Sequence, residues 1–260
     1  MILDIIAAAA KKRVDAAKEI KPLEELYEQA LSMPKGNNAF ETALKKDGIS
    51  FICEVKKASP SKGLIAPDFP YLDIAREYEE AGADAVSVLT EPEFFLGSDA
   101  YLTKIRASIS LPLLRKDFTV DEYQLYEAKA IGANAVLLIC ALLDKQMLKK
   151  YIGICDTLGL SALVEAHTGA EVKSSLDAGA RIVGVNNRNL KTFEVDPETC
   201  IRLRPLVPND IIFVAESGIS SREDIVRLRD AGVNAVLIGE TLMRSSDKRS
   251  ALAELKGGSV

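Results

Sequence analysis

Four segments of the chain are near copies of one another, and their spacing restricts the fold more than any other feature. They read Glu80-Ala-Gly-Ala-Asp-Ala-Val-Ser-Val-Leu-Thr90, Ala130-Ile-Gly-Ala-Asn-Ala-Val-Leu-Leu-Ile-Cys140, Asp177-Ala-Gly-Ala-Arg-Ile-Val-Gly-Val-Asn-Asn187 and Asp230-Ala-Gly-Val-Asn-Ala-Val-Leu-Ile-Gly-Glu240. Their glycines, Gly82, Gly132, Gly179 and Gly232, lie 50, 47 and 53 residues apart. Each segment reads as a helix end, a glycine in the left-handed cap position and a short apolar strand. The strands are continuous Val/Ile/Leu/Ala runs, the pattern of parallel strands buried on both faces.

An interval of this length is too long for one strand–helix unit and suits two, so a second strand is expected midway in each. Phe51–Lys56, Leu113–Arg115, Leu160–Glu165 and Ile211–Ala215 fill those places. Amphipathic stretches separate the strands, namely Tyr71–Glu80, Asp121–Ala130, Leu143–Thr157, Thr168–Ala178 and Ser221–Asp230. Eight strands alternating with helices predict an α/β protein with one closed (β/α)8 (TIM) barrel. An open doubly wound sheet is the alternative, because alternation alone does not prove closure. No Gly-x-Gly-x-x-Gly follows a strand, so the dinucleotide-binding version lacks its phosphate turn.

One domain is expected across 1–260, with 1–47 as a helical extension over the barrel mouth. Ile2, Ile5, Ile6, Ala9, Ala10 and Val14 suit one helical face, Leu23–Ala30 makes a second helix, and Pro34-Lys-Gly-Asn-Asn38 breaks the chain. The end, Gly257-Gly-Ser-Val260, reads as a loose tail.

A net charge of −5 argues against nucleic-acid binding, whose affinity rests on neutralising phosphates. Four scattered cysteines and the single histidine, His167, offer no zinc or disulfide framework. The longest apolar run, Ala135–Leu143, is too short to span a bilayer. At the N-terminus the basic residues follow the apolar ones, the reverse of a secretory signal. A cytoplasmic protein is expected, without nucleic-acid or membrane partners.

In a barrel of this kind chemistry sits at the C-terminal ends of the strands. Glu54 and Lys56 lie two apart on one strand face, ahead of Ser59-Pro60-Ser61. The later strands end in Arg115-Lys116-Asp117, Glu165, Asn186-Asn-Arg188, Glu216-Ser217-Gly218 and Gly239-Glu240. Any one of these is an ordinary loop charge. Together they crowd one rim, where buried charges must pair or bind a ligand. Glycines after the seventh and eighth strands, with a short helix starting near Gly239, make an expected phosphate site. Phe94, Phe95, Phe118 and Leu190 lie just past strand ends, where they could line a flat apolar ligand. His167 is expected to be a loop or helix-cap residue.

The strings Glu54-Val-Lys-Lys-Ala-Ser-Pro-Ser-Lys-Gly63, Leu114-Arg-Lys-Asp-Phe118, Leu163-Val-Glu-Ala-His167, Val185-Asn-Asn-Arg-Asn-Leu190, Ala215-Glu-Ser-Gly-Ile219 and Ile238-Gly-Glu240, taken in order, resemble the indole-3-glycerol phosphate synthases. The resemblance covers essentially the whole chain. It implies a carbon–carbon lyase that closes 1-(2-carboxyphenylamino)-1-deoxyribulose 5-phosphate into indole-3-glycerol phosphate, releasing carbon dioxide and water without metal or organic cofactor. It also implies roles. Lys116 is the general acid, Lys56 and Glu165 share the later proton transfers, and Glu54 positions Lys56. Asn186 and Ser217 join this catalytic group. Ser59, Pro60, Ser61, Phe95, Phe118, Leu137, Arg188 and Leu190 contact the substrate. Lys56, Ser217, Gly218, Gly239 and Glu240 hold its phosphate. The expected partner is thus a phosphorylated small molecule, handled by a monomer or a weak homo-oligomer. A phosphoribosylanthranilate isomerase-like barrel, using a cysteine, and a non-catalytic metabolite-binding barrel are the competing readings.

Overall fold

The computed structural model describes residues 2–258. Eight parallel strands form the barrel: β1 (Ser50–Val55), β2 (Ala85–Leu89), β3 (Leu113–Lys116), β4 (Ala135–Ile139), β5 (Ser161–Ala166), β6 (Ile182–Asn186), β7 (Ile212–Glu216) and β8 (Ala235–Ile238). They follow one another around the ring, and β1 pairs with both β2 and β8, so the sheet closes and the open-sheet alternative is excluded.

Each repeat is a helix stop. Gly82, Gly132, Gly179 and Gly232 all have φ between +78° and +93°. The amide after each glycine reaches back over the helix end: Ala83 to Tyr78, Ala133 to Ala128, Ala180 to Ser175 and Val233 to Leu228, at 2.9–3.0 Å. This is the Schellman closure, which satisfies carbonyls left open by the helix and which glycine adopts without steric penalty. Two residues past three of these glycines an Asp or Asn accepts an amide from the first two residues of a neighbouring strand. Asp84 takes Phe51 N–H, Asn134 takes Leu113 N–H and Asn234 takes Phe213 N–H, at 2.8–2.9 Å. The repeat therefore ends a helix and sets a strand in register.

Helices α4 (Tyr71–Glu80), α5 (Asp99–Arg106), α6 (Tyr123–Ala130), α7 (Lys145–Leu158), α8 (Gly169–Asp177), α9 (Glu198–Leu203) and α10 (Arg222–Asp230) surround the strands. After β8 come α11 (Glu240–Arg244) and α12 (Lys248–Lys256). Side chains alternate along each strand. Outward residues such as Cys53, Val88, Val164 and Phe213 pack under the helices, whereas Ile52, Leu114, Leu137, Leu163, Val214 and Leu237 fill the barrel interior.

The extension consists of α1 (Ile2–Ile20), α2 (Leu23–Ser32) and α3 (Ala39–Leu44). It does more than cover the mouth. Helix α1 lies there, with Leu3, Ile6, Ala10 and Val14 buried and Ile5 turned outward; the buried stripe follows the helical period through Leu3 instead of Ile5. Helix α2 packs against α6 on the flank. Helix α3, which the sequence pattern did not reveal, plugs the opposite end. Its Phe40 and Leu44 are fully buried among the interior residues of the strands. In the one repeat without Asp or Asn, Arg181 instead binds Glu41 of α3 at 2.9 Å. At the chain end, Gly257 (φ +82°) caps α12 and so is not part of a loose tail; Ser259 and Val260 lie outside the described residues. No helix among the described residues is long and apolar enough to cross a membrane.

Candidate active site

The strand period decides which residues meet. Counting by twos from the interior layer, the next inward positions are Glu54 on β1 and Lys56 just past it, Lys116 on β3, Glu165 on β5, Asn186 on β6 and Glu216 on β7. They surround a cavity of about 440 Å³ at the C-terminal end of the barrel, a volume suited to a small-molecule ligand. All residues singled out above for catalysis, substrate or phosphate line it, including Ser59, Pro60, Ser61, Phe95, Phe118, Leu137, Arg188, Leu190, Ser217, Gly218, Gly239 and Glu240. Phe94 and His167 do not line it.

Lys116 sits at the centre, with Nζ 3.1 Å from Glu165 Oε2 and 2.9 Å from Glu216 Oε2. Burial opposes its charge, but Glu216, Glu165 and Glu54 outweigh burial and hold it protonated, above the ordinary lysine range. The two carboxylates are not equivalent. Burial alone would raise the pKa of Glu165; Lys116, His167 and Asn186 together keep it below the usual carboxylate range. Burial and the neighbouring Glu165 push Glu216 up to about 7 despite Lys116. Its Oε1 is buried without a hydrogen-bond partner and stands over Gly184, where any Cβ would collide with it. Glu216 ends the seventh strand string, where nothing local distinguishes it from an ordinary loop charge. Like charges crowded around one cation divide into an ionised and a protonated partner, the arrangement acid–base catalysis uses.

On the far wall Lys56 Nζ donates to Glu54 Oε1 at 2.6 Å, and Ser87 Oγ lies 3.4 Å from Glu54 Oε2. Gly239 faces this pair, and a Cβ there would strike both Glu54 Oε1 and Lys56 Nζ. Gly239→Val is therefore expected to lower kcat/KM by about 100-fold, the scale of a misplaced catalytic group, with folding retained. Steady-state kinetics and a thermal melt check this, and near-wild-type kcat/KM would refute the steric role.

At one end of the cavity Ser217 and Gly218 are consecutive left-handed residues, with φ of +66° and +74°. For Ser217 this conformation carries strain, offset in part by Asn187 Nδ2, which donates to its carbonyl at 3.0 Å. Gly239 is the N-cap of α11. The carboxylate of Glu240 lies 3.1 Å from Arg244, 3.3 Å from Lys62 and 3.9 Å from Arg188, so three cations gather here.

The other end is apolar. The Phe95 and Phe118 rings lie 5.9 Å apart, tilted by 40°, with Leu137, Leu190 and the α1 residues Ile2, Leu3 and Ile6 also lining the cavity. Two ion pairs anchor α1 over it: Arg13 to Asp117 at 2.6 Å and Lys18 to Asp121 at 2.7 Å. Asp117 also accepts from Thr90 at 2.7 Å. Cys53, the thiol an isomerase-like reading would need, points into the layer under the helices, and burial raises its pKa.

A family model described as indole-3-glycerol phosphate synthase matches residues 3–255. The chain belongs to the indole-3-glycerol phosphate synthase family. It is 61% identical over 258 residues to the indole-3-glycerol phosphate synthase of Ruminiclostridium cellulolyticum, covering 99% of each chain. Identity to that of Endomicrobium trichonymphae is 56% over 257 residues, covering 98% of this chain and 100% of that protein. Among solved structures, a 3-hexulose-6-phosphate synthase superposes with a TM-score of 0.66 at 14% identity, over 80% of this chain and 99% of that one. The tryptophan synthase α-subunit of Pyrococcus furiosus gives 0.60 at 18%, over 82% and 99%. These two likenesses concern the fold alone. Indole-3-glycerol phosphate synthases are carboxy-lyases of tryptophan biosynthesis that act on a phosphorylated small molecule, and this chain shares that activity.

Proposed function

We propose that the cavity performs the synthase reaction with Lys116 as the acid of ring closure and with Lys56 and Glu165 completing it. The observation that carries this assignment is the placement of Lys116 between Glu165 and Glu216 at the bottom of a cavity with one cationic and one apolar end. The carboxyphenylamino ring lies at the Phe95–Phe118 end, with Leu137, Leu190 and Pro60 around it. The phosphate lies on the backbone of Ser217, Gly218, Gly239 and Glu240, with Lys56 reaching across from just past β1. Ser59, Ser61 and Arg188 orient the chain between the two ends, and Asn186 holds Glu165.

In the first step the ring carbon bearing the carboxylate attacks the ketone carbon of the deoxyribulose. A carbon–carbon bond forms, and the carbonyl π pair goes to oxygen, which takes a proton from Lys116. The carboxylate then leaves as carbon dioxide, and its bonding pair returns to the ring. In the last step the hydroxyl departs as water with a proton from Lys56, while Glu165 takes the ring-closing carbon's neighbouring proton. Two protons given and one received balance the loss of one carboxylate as carbon dioxide. A general acid and base each supply about 100- to 10,000-fold when placed in this way.

Incubation with 1-(2-carboxyphenylamino)-1-deoxyribulose 5-phosphate is expected to generate indole fluorescence, and a protein that binds the compound without turnover would contradict the proposal. For the anion end, crystals soaked in phosphate should show the ion beside Gly218 and Gly239. Density elsewhere, with those amides facing solvent, would defeat that half of the assignment. We further propose that the chain acts as a cytoplasmic monomer, supported by its acidic balance. Light scattering should then report 28.2 kDa.

A further inference from the structure

His167, the only histidine in the chain, follows β5 directly and takes no part in the steps above. Its surroundings are unusual for a loop residue. Nε2 is buried, has no hydrogen-bond partner and lies 3.5 Å from Glu165 Oε1. Nδ1 lies 3.6 Å from Glu171 Oε2 on α8, and that same oxygen accepts the His167 backbone N–H at 2.6 Å. The imidazole thus stands between two carboxylates, one inside the cavity wall and one on the surrounding helix. The charge of Glu216 on β7 also acts on it, and from the neighbouring strand Cys140, after β4, touches the Glu171 backbone.

The oxygens sort the cluster. Glu165 meets a different basic group at each oxygen, Lys116 at Oε2 and His167 at Oε1. Glu216 has Lys116 at Oε2 and no hydrogen-bond partner at Oε1. We propose that His167, held as an imidazolium by Glu171, is a positioning residue that places the proton shared within the Lys116 cluster on Glu216 and leaves Glu165 free to act as the base. The assignment rests on the role given to Glu165 above. Burial opposes the imidazolium charge, but Glu171, Glu165 and Glu216 overcome burial, so the histidine titrates above its ordinary value. Without that charge, Lys116, which touches both carboxylates, and the Asn186 amide on Glu165 would be left to distinguish them. Glu165 would then hold a proton at higher pH than it does now.

Because the histidine is unique, its ring resonances can be followed by NMR without assignment, and this measurement is independent of turnover. In the wild-type protein the imidazole should titrate above the free-histidine range, and its midpoint should fall in both Glu165→Gln and Glu171→Gln. The second arm is the pH profile of kcat/KM in His167→Gln and His167→Asn. The acid limb should move to higher pH by about one unit, so that on this limb, below the wild-type midpoint, the variants lose about tenfold more activity than at pH 8.5. A free-histidine midpoint unaffected by Glu165→Gln would overturn the proposal. So would a loss of activity equal at every pH, which is what a structural role predicts. If the wild-type chain gave no indole product, the function assignment would fail while the NMR titration still reported on the cluster.

Discussion

Replacing Lys116 by Met is expected to lower kcat by about 100- to 10,000-fold while KM changes little. The methionine fills nearly the same volume, and the substrate's affinity resides in the apolar and cationic ends of the cavity, which Lys116 does not build. What is lost is a cation and a proton donor at the ketone oxygen as it gains charge, a contact made chiefly in the transition state. The deletion also leaves Glu165 and Glu216 facing each other in a buried site. Two such carboxylates cannot both stay ionised, so the variant should hold a proton on the pair near neutral pH. Single-turnover kinetics separates chemistry from binding here. A variant that turned over at close to the wild-type rate would remove Lys116 from its role.

The second large effect concerns the opposite end of the barrel. Phe40→Ala should destabilise the protein by roughly 3–5 kcal/mol, the usual result of emptying a fully buried aromatic site. For a chain of this size that corresponds to a fall in the melting midpoint of roughly 6–20 °C. The ring is completely enclosed by the lower interior layer and cannot be replaced by water, because its neighbours are apolar. The catalytic groups lie beyond Leu137, Leu163 and Leu237, so kcat at 25 °C should stay within about twofold of wild type. Urea and thermal unfolding test the first half and steady-state kinetics the second. A melting midpoint within a degree or two of wild type would show that α3 is not a structural plug.

Much of this architecture is written in local patterns. The Gly-Ala-Asp, Gly-Ala-Asn and Gly-Val-Asn strings carry the helix stop and the strand start within a few residues, so spacing leads to eight alternating strands and helices, and the pairing of β1 with β8 adds the closure. The candidate site is legible for a related reason: inward direction alternates along a strand, and Glu54 and Lys56 share a face by counting. The limits are physical as well. Glu216 lies one residue past the expected strand Ile211–Ala215, as Lys116 lies one past Leu113–Arg115, and its part in the site shows only where the closed ring sets it beside Lys116. Helix α3 is six residues long, too short for a period, and its stability comes from strands distant in sequence. Neither the pairing of His167 with Glu165 nor that of Arg13 with Asp117 has any local signature, since each forms only once the ring has closed.

The position of α3 has a consequence for biosynthesis. Residues 39–44 leave the ribosome long before β8, yet the floor they occupy is complete only when Ala235 has arrived. At translation rates of 5–20 residues per second, Phe40 and Leu44 wait roughly 10–40 s with no finished pocket to enter. The nascent chain therefore carries an unsheltered apolar segment through most of its synthesis, and the step that closes the ring is also the step that hides it.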